Sequence, residues 1–465
     1  MTHSGRTLIL ATAILALLPT ASFAQDYFRT GGFTGQVGPT TTPFAASDGT
    51  FVSTIGAPSS LSPNLVENMQ ANVDDANFAI GPLRFSMAVG FGVEFNDNIT
   101  LADEDRVSDI ILRPSANVDV FWRLTDMNTL RLSLGLSYSK YIDHSEYDTD
   151  GVLISPLSEL EFKFQVGNVN FTARDRFSYQ QEPYSISNLS NVAQYGRYEN
   201  EAGLDAEWDL NSNIRFEGGY THYNLWSQDD IFSEQDRSID TVYFKPSYQL
   251  FPTVRVGFRT SFSWIDFDSS DRGDGSTFFI GPFVEWQVTD FTRVYAEVGY
   301  QRLSLDGNQN QVFSRGLLDE FDSDLRDSIE AAEEDGGSSD SNSYYVRLDI
   351  ENQLTTTYLQ RLNFTKTAEI GFFSSYYDLY HVEYNATYTG INKLEIGPSL
   401  FFEYYETSGG FPEKATRVGA AVGARYHLTD AVTLGADYRF LRKDSDVEGA
   451  DYYQNLAFLS IYYKF

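Results

Sequence analysis

Long alternating runs of apolar and polar residues fill the chain from Leu83 onward. In the first run the odd positions from 83 to 95 are all apolar, whereas Arg84, Ser86 and Glu94 fall on the even positions. A period of two with one uniformly apolar face is typical of a β-strand that has one face against an apolar medium. The run is longer than most strands of soluble proteins and matches a tilted strand that crosses a bilayer. The pattern therefore predicts a membrane-spanning strand.

The same alternation recurs to the end of the chain, with short and long gaps in turn. The short gaps fall near 125–128, 167–168, 211–213, 251–253, 289–290, 354–357, 389–393 and 429–430. The long gaps fall near 97–109, 143–157, 182–197, 226–237, 268–277, 304–343, 371–378, 406–416 and 442–451. Short turns on one side and long loops on the other are typical of outer-membrane barrels. We predict an all-β, antiparallel, up-and-down transmembrane barrel of about eighteen strands, with sixteen as the alternative.

The last alternating run ends on an aromatic residue, Phe465. Its apolar parity carries Tyr453, Asn455, Ala457, Leu459, Ile461, Tyr463 and Phe465. A terminal Phe preceded by apolar residues at alternate positions resembles the C-terminal signal of bacterial outer-membrane barrels. The resemblance implies that the barrel assembly machinery is a partner of the Phe465 strand, which presents an open edge before the barrel closes.

The first 80 residues differ from the barrel region. A weakly basic start, an apolar run from Leu8 to Leu18 and the small-x-small site Ser22-Phe23-Ala24 predict a signal peptide over 1–24. Residues 25–80 include a stretch rich in Gly, Thr, Ser and Pro, and we predict a flexible periplasmic segment there. The barrel would then occupy 81–465, in the bacterial outer membrane.

Composition supports a membrane barrel and disfavours other classes. Aromatic residues make up 15% of the chain, which suits lipid contact and interfacial girdles, and there is no Cys. The net charge of −32 disfavours nucleic-acid binding. The expected partners are instead outer-membrane lipid, lipopolysaccharide and small solutes. The acidic balance could equally serve only the solubility of the loops.

If the apolar parity faces lipid, the other parity faces the lumen, and it carries charges of both signs. The candidate lumen-lining residues are Arg84, Glu94, Arg113, Arg123, Arg131, Arg174, Glu217, Arg255, Arg259, Glu285, Glu297, Arg347, Glu395, Arg425 and Arg439. Such charges need water or dense pairing, because an isolated buried charge is too costly. A conducting pathway is the favoured interpretation, and a lumen filled by salt bridges and an inward loop is the alternative.

Some charged residues fall on the lipid-facing parity. Asp175 lies between Ala173 and Phe177, and Lys366 lies between Phe364 and Ala368. A charge in the hydrocarbon layer is costly. The sequence favours local bulges, or positions near the interface, as the explanation.

Loop 304–343 is the predicted constriction. From Gly316 to Glu334 the spacing is helical, with an acidic face that carries Asp319, Asp322, Asp327, Glu330 and Glu334. Folded inward, those carboxylates would favour cations. A surface helix with a solvated acidic face is the alternative.

The sequence predicts no metal, cofactor or enzymatic activity. The cluster Asp266, Asp268, Asp271 and Asp274 lacks the spacing of a helix–loop–helix calcium site. His381 and His427 are the histidines on the lumen parity, and neither has a Ser in a recognisable nucleophile setting nearby.

Residues 93–99, with the sequence VEFNDNI, and the following Arg113-Pro114-Ser115 resemble a family of outer-membrane β-barrel porins. Some members are encoded among capsule and exopolysaccharide genes. The resemblance covers roughly 83–465 and implies passive passage of small hydrophilic solutes or ions. An auxiliary role in exopolysaccharide export and a structural or adhesive barrel are the alternatives. No binding residue is carried over.

Overall fold

Strands account for nearly all the regular structure. The computed structural model describes residues 78–125, 127–183, 187, 189–269, 272–306, 340–410 and 412–465. The strands are β1 (Phe78–Ile80), β2 (Leu83–Asn96), β3 (Asp109–Arg123), β4 (Thr129–Ser137), β5 (Lys140–Tyr141), β6 (Leu153–Ile154), β7 (Glu159–Val166), β8 (Val169–Gln180), β9 (Arg197–Asp209), β10 (Ile214–Ser227), β11 (Arg237–Phe251), β12 (Val254–Phe267), β13 (Gly275–Thr289), β14 (Thr292–Leu305), β15 (Asp340–Thr355), β16 (Tyr358–Ile370), β17 (Ser374–Ile391), β18 (Leu394–Gly410), β19 (Lys414–His427), β20 (Val432–Ser445) and β21 (Tyr452–Lys464). Two 3-10 turns cover Ser145–Tyr147 and Asp230–Gln235. Among these residues no helix is both long and apolar enough to cross a membrane.

Eighteen of these strands form one closed antiparallel barrel. Each strand pairs with its neighbour in sequence, and β2 closes the ring by pairing with β21 from Ala88↔Lys464 to Asn96↔Leu456. Three short strands are extra: β1 forms a hairpin with β2, β5 pairs with β3, and β6 pairs with β4 and β8. The prediction of an eighteen-stranded transmembrane barrel is confirmed.

Alternate residues face lipid and lumen. On β2, Phe91 and Phe95 are 46% and 48% exposed, whereas the intervening Glu94 is 2% exposed. On β21, Leu459 and Tyr463 point outward, and Phe465 continues that face as its amide donates to Met87 O at 3.0 Å. An apolar outer face around a polar interior is the architecture of a bacterial outer-membrane protein, because every backbone group of a closed barrel is paired within the wall.

Glycines on the inner face make room for aromatic rings that lie against the wall. A Cβ built on Gly92 would come within 2.2 Å of the Phe458 ring, and one on Gly257 within 2.3 Å of the Phe283 ring. Both glycines therefore allow a neighbouring ring to cover the strand. This arrangement accounts for large aromatic side chains on a face that is otherwise polar.

Two loops predicted to be long are short. Strand β16 ends at Ile370 and β17 begins at Ser374, while β18 ends at Gly410 and β19 begins at Lys414. The gaps inferred near 371–378 and 406–416 were wrong. Here the strands continue beyond the apolar layer. Polar residues such as Asp378 and Glu406 then occupy outward positions, so the alternating pattern is lost although the two strands stay paired.

Candidate permeation site in the upper lumen

The inner face carries the charged residues that the alternation selected. All of the following lie on the inward parity: Arg84, Glu94, Arg113, Arg123, Arg131, Arg174, Glu217, Arg255, Arg259, Glu285, Glu297, Arg347, Glu395, Arg425 and Arg439. The structure therefore distributes them around the whole circumference of the lumen. They do not form one compact site.

Most of these charges have partners of opposite sign across neighbouring strands. Lys245 Nζ lies 3.4 Å from Glu217 Oε2 and 3.2 Å from Glu285 Oε1. On β19 and β18, Arg425 and Glu395 approach to 4.0 Å. Such pairing keeps both signs of charge on the inner wall without leaving an isolated buried ion.

Exposure of the paired groups falls from the periplasmic end to the extracellular end. Near the periplasmic turns the side chains of Arg215 and Glu207 are 31% and 38% exposed. Higher in the barrel those of Arg417 and Glu403 are only 2% and 3% exposed, and Lys443 is 1% exposed. The lumen is thus a vestibule that is open below and filled above.

The loop between β8 and β9 enters the upper lumen, and its described residues are 181–183, 187 and 189–196. Its first residues stay near β3, where Glu182 Oε1 accepts a hydrogen bond from Arg113 at 3.0 Å. Its middle reaches the opposite wall: Ser187 Oγ donates to Glu403 Oε2 at 3.2 Å, and Lys443 Nζ on β20 donates to Ser190 Oγ at 2.7 Å. The loop therefore crosses the barrel, and we call it the crossing loop.

Sequence reasoning missed the crossing loop and selected loop 304–343 instead. The proposed acidic helix, with Asp319, Asp322, Asp327, Glu330 and Glu334, lies outside the described residues. A sequence signal for the crossing loop does exist. Residues 183–196 contain no charged residue, although 21% of the chain is charged. An uncharged segment between two barrel strands is unusual for a loop in water and suits one that is packed inside.

A second element, the β16–β17 tip, also leans into the lumen. The β15–β16 ladder stops at Val346↔Lys366, although β16 continues to Ile370. Gln301, an inward residue of β14, exchanges side-chain hydrogen bonds with the backbone N and O of Ala368 at 3.0 and 2.9 Å. The tip therefore leaves the wall and packs against its inner surface.

The inward tip explains the charge at Lys366. This side chain is 2% exposed and its ammonium donates to Asp378 and Ser343 in the seam between β15 and β16. The β15–β16 ladder has no register shift at Lys366, so a bulge, one of the two explanations inferred from the sequence, was wrong for this residue. The other, a position near the lipid interface, stays a prediction. Lys366 lies in a buried seam that forms because the wall splits there.

The crossing loop and three other extracellular segments meet in an apolar cluster. It contains Leu189, Val192, Tyr195, Phe232, Phe372, Phe373 and Ala450. The Tyr195 ring lies edge-on to Phe232 and Phe372, with centroid distances of 4.9 and 5.1 Å. Burial of these side chains favours the closed arrangement of the loops over an open one. We call the cluster the apolar cap.

Arg272 stabilises the apolar cap through hydrogen bonds to neighbouring loops. Its guanidinium is 1% exposed and donates to Gly371 O at 2.8 Å, Phe372 O at 3.2 Å and Gln235 Oε1 at 2.9 Å. It also lies 4.6 Å above the Phe267 ring. Burial, with the nearby charge of Arg237, lowers the pKa of Arg272 to about 9. One side chain thus links three loops through backbone and amide oxygens.

A polar pocket remains between the crossing loop and the wall at β2 and β3. Its free volume is about 20 Å³, and its wall includes Glu94, Arg113, Tyr141, Glu182 and Gln454. Arg113 lies between the two carboxylates, 2.8 Å from Glu94 and 3.0 Å from Glu182. Burial raises the pKa of Glu182, but the charges of Arg113 and Arg197 and the hydrogen bonds to the carboxylate together lower it from its usual 4.5. We call this pocket the eyelet.

Of the lumen histidines, His381 lies between two carboxylates, and His427 Nδ1 lies 3.0 Å from Thr433 Oγ1. His381 Nδ1 lies 3.1 Å from Glu403 Oε1, and its Nε2 lies 3.8 Å from Glu383 Oε2. The nearby Ser187 hydroxyl donates to Glu403, not to His381. This geometry serves to hold the crossing loop. In the described part of the chain, no group of three or more His, Cys, Asp or Glu residues is placed to hold a metal ion.

Comparison with known proteins finds structural likeness alone. No protein-family model matches the chain, and no curated protein matches it by sequence. The structure is similar to OpdK of Pseudomonas aeruginosa, with 10% identity, a TM-score of 0.44, and coverage of 82% of this chain and 99% of that one. It is also similar to OccD3 (OpdP) of the same organism, with 9% identity, a TM-score of 0.43, and coverage of 91% and 98%. For OccAB2 of Acinetobacter baumannii the values are 10%, 0.44, 82% and 98%. No residue role is transferred from these proteins.

Proposed function

We propose that this protein is a porin-like channel for passive diffusion of small hydrophilic solutes across the outer membrane. The observation that carries the proposal is the crossing loop, which lies inside a barrel of eighteen strands and leaves a polar eyelet beside β2 and β3. Beside apolar side chains such as Ile99, Leu101 and Leu153, the eyelet wall offers hydrogen-bond donors and acceptors of both charges. A small hydrated solute can exchange its water for such groups at little cost, whereas an apolar solute cannot.

We further propose a preference for cations. The extracellular loops around the mouth are acidic: residues 97–108 contain Asp97, Asp103, Glu104 and Asp105 against Arg106 alone. A concentration of carboxylates at a mouth raises the local concentration of cations and lowers that of anions. The paired charges inside contribute less, since their opposite signs largely cancel.

Single-channel recording of the refolded protein in a planar bilayer tests the proposal. The variant Glu182→Ala with Ser190→Ala removes one contact near the start of the crossing loop and one in its middle. We expect stable steps for the native protein and larger steps for this variant, because a released loop widens the eyelet. Glu146→Ala, an exposed change on another extracellular loop, is the matched control and should leave the step size unchanged.

A salt gradient in the same experiment separates the two parts of the proposal. A reversal potential of the cation-selective sign supports the preference, and the anion-selective sign contradicts that preference alone. Silence of both native and released-loop proteins, with insertion shown by heat-modifiable migration, would contradict the channel itself.

A further inference from the structure

The outer wall at β8 to β11 carries a group of polar side chains on its lipid-facing parity. We define the polar wall patch as Asp175, Asn200, His222, Asn224 and Asp240. The strand pairing puts these residues side by side. Asp175 is opposite Ala202, and on the next two strands His222 is opposite both Ala202 and Asp240. Asn200 pairs directly with Asn224. The patch is therefore continuous across four strands.

Hydrogen bonds within the patch fix its side chains toward the outside. Asn200 Nδ2 donates to Asp175 Oδ1 at 2.6 Å, and His222 Nδ1 lies 2.8 Å from Asp240 Oδ1. The β8 ladders run without a register shift on both sides of Asp175. The bulge inferred from the sequence at Asp175 was therefore wrong, and this carboxylate is exposed on the regular outer surface.

The height of Asp175 places it in the hydrocarbon layer. It lies six residues above Val169, the first residue of β8 after the periplasmic turn. At the usual rise and tilt of barrel strands, that separation is about 16 Å along the membrane normal. At such heights the outward positions of β2 and β4 carry only Leu, Val, Phe and Met. An exposed carboxylate with an amide neighbour is unfavourable against acyl chains.

We propose that the polar wall patch is a contact surface for a second copy of this chain. The patch contains two carboxylates and no Lys or Arg, so the phosphate-rich lipid of the outer leaflet is a poor occupant. Two copies related by a two-fold axis present the same patch to each other, and the Asn224 amide of one can then donate to an Asp carboxylate of the other.

Small side chains beside the patch permit a close approach. Ala173 and Ala202 are small outward residues next to it, whereas the outward Phe177, Leu204 and Tyr220 nearby are large. Small residues on a lipid-facing surface are typical of contacts between membrane segments, because they allow backbones and polar groups to come together. The polar groups and the small neighbouring residues thus both favour contact with another membrane protein.

Cross-linking in native outer membranes tests the proposal, because the chain has no cysteine of its own. Ala202→Cys places one thiol within the patch. Ala420→Cys on β19 is the matched control: both alanines point outward and are half-buried, and each lies seven residues above the periplasmic end of its strand. The membranes are treated with a short bis-maleimide and separated by mass.

We expect a product of twice the chain mass for Ala202→Cys, at least fivefold more abundant than for Ala420→Cys. Adding Asp175→Leu and Asn200→Leu to Ala202→Cys should abolish the product, while heat-modifiable migration shows that the barrel still folds. Equal products at the two positions would show random collision and overturn the proposal. Native mass spectrometry that detects only monomers, with or without bound lipid, would also overturn the proposal.

Discussion

The guanidinium of Arg259 and the carboxylate of Glu297 form a bidentate ion pair inside the barrel wall. Arg259 Nε and Nη2 lie 2.6 and 2.8 Å from the two carboxylate oxygens, and each side chain is only 1% exposed. Arg259 belongs to β12 and Glu297 to β14, so the pair bridges β13, where Arg259 is opposite Gly281. The guanidinium also lies 4.0 Å above the Phe279 ring. The pair holds three strands together across their inner face.

Replacing one partner of this pair should be far more harmful than replacing both. Glu297→Ala leaves a buried guanidinium without its carboxylate, which should lower the free energy of unfolding by about 3–5 kcal/mol. Arg259→Met with Glu297→Leu removes both charges and should recover most of that loss. Urea titration of the protein in detergent micelles measures the difference.

Glu207→Ala provides the control for the ion pair. Glu207 lies 3.3 Å from Arg215, but its side chain is 38% exposed in the open vestibule. Water screens such a pair, so we expect a loss of less than about 1 kcal/mol. Equal losses for Glu297→Ala and Glu207→Ala would contradict the difference in burial on which the prediction rests.

A Cβ at Gly92 should obstruct closure of the barrel. Gly92 lies on β2 at the closing seam, where it pairs with Ser460, and its absent side chain leaves space for the Phe458 ring. Gly92→Val should therefore lower the yield of heat-modifiable barrel severalfold on refolding. Gly397→Ala on β18 is the control, because a Cβ there meets only Ala386 O at 3.7 Å. A normal yield for Gly92→Val would show that the seam tolerates displacement of Phe458.

The strands were predictable because each one obeys a local rule. On β2 the apolar parity is uninterrupted and on β21 only Asn455 departs from it, so strand positions, facing and the final count of eighteen follow from the sequence. The rule fails above the apolar layer, where β17 and β18 continue through Asp378 and Glu406. Pairing there is maintained by the neighbouring strand, which is a property of the whole sheet.

The arrangement of the upper lumen could not be derived in the same way. The crossing loop is held by Glu403 and Lys443, which are more than 200 residues from Ser187 and Ser190 in sequence. No periodic pattern records such a contact. The uncharged stretch 183–196 indicates only that the loop is buried, and the identity of the opposite wall depends on the closed barrel.

Acid should loosen the crossing loop at the eyelet. The pKa of Glu182 is below its usual 4.5 in the folded protein, so its pairing with Arg113 contributes full stability above pH 4.5. That contribution is lost as the pH falls through the lowered pKa, where the carboxyl becomes neutral. We expect the channel conductance to rise on acidification below pH 4.5.

Glu182→Gln separates the effect of the Glu182 carboxyl from that of the other acidic residues of the extracellular loops. The amide cannot titrate, so the variant should lack the part of the conductance change that Glu182 causes. Measurement of both proteins between neutral pH and the acidic range gives that part by difference. Identical pH profiles would show that the Arg113–Glu182 pair does not hold the loop.

Loss of Arg272 should open the apolar cap while the barrel stays intact. Arg272→Ala leaves the carbonyl oxygens of Gly371 and Phe372 without their charged donor, in a place where water does not reach. Hydrogen bonds from a charged donor contribute on the order of 3 kcal/mol, so local opening should become more than about tenfold more frequent. Cleavage near 371–373 by a non-specific protease should accelerate to the same extent.

Arg302→Ala is the control, because Arg302 is 52% exposed and lies 3.6 Å from Asp340 on the outer surface. Equal cleavage rates for the two variants would mean that the aromatic contacts of Phe372 suffice to hold the cap.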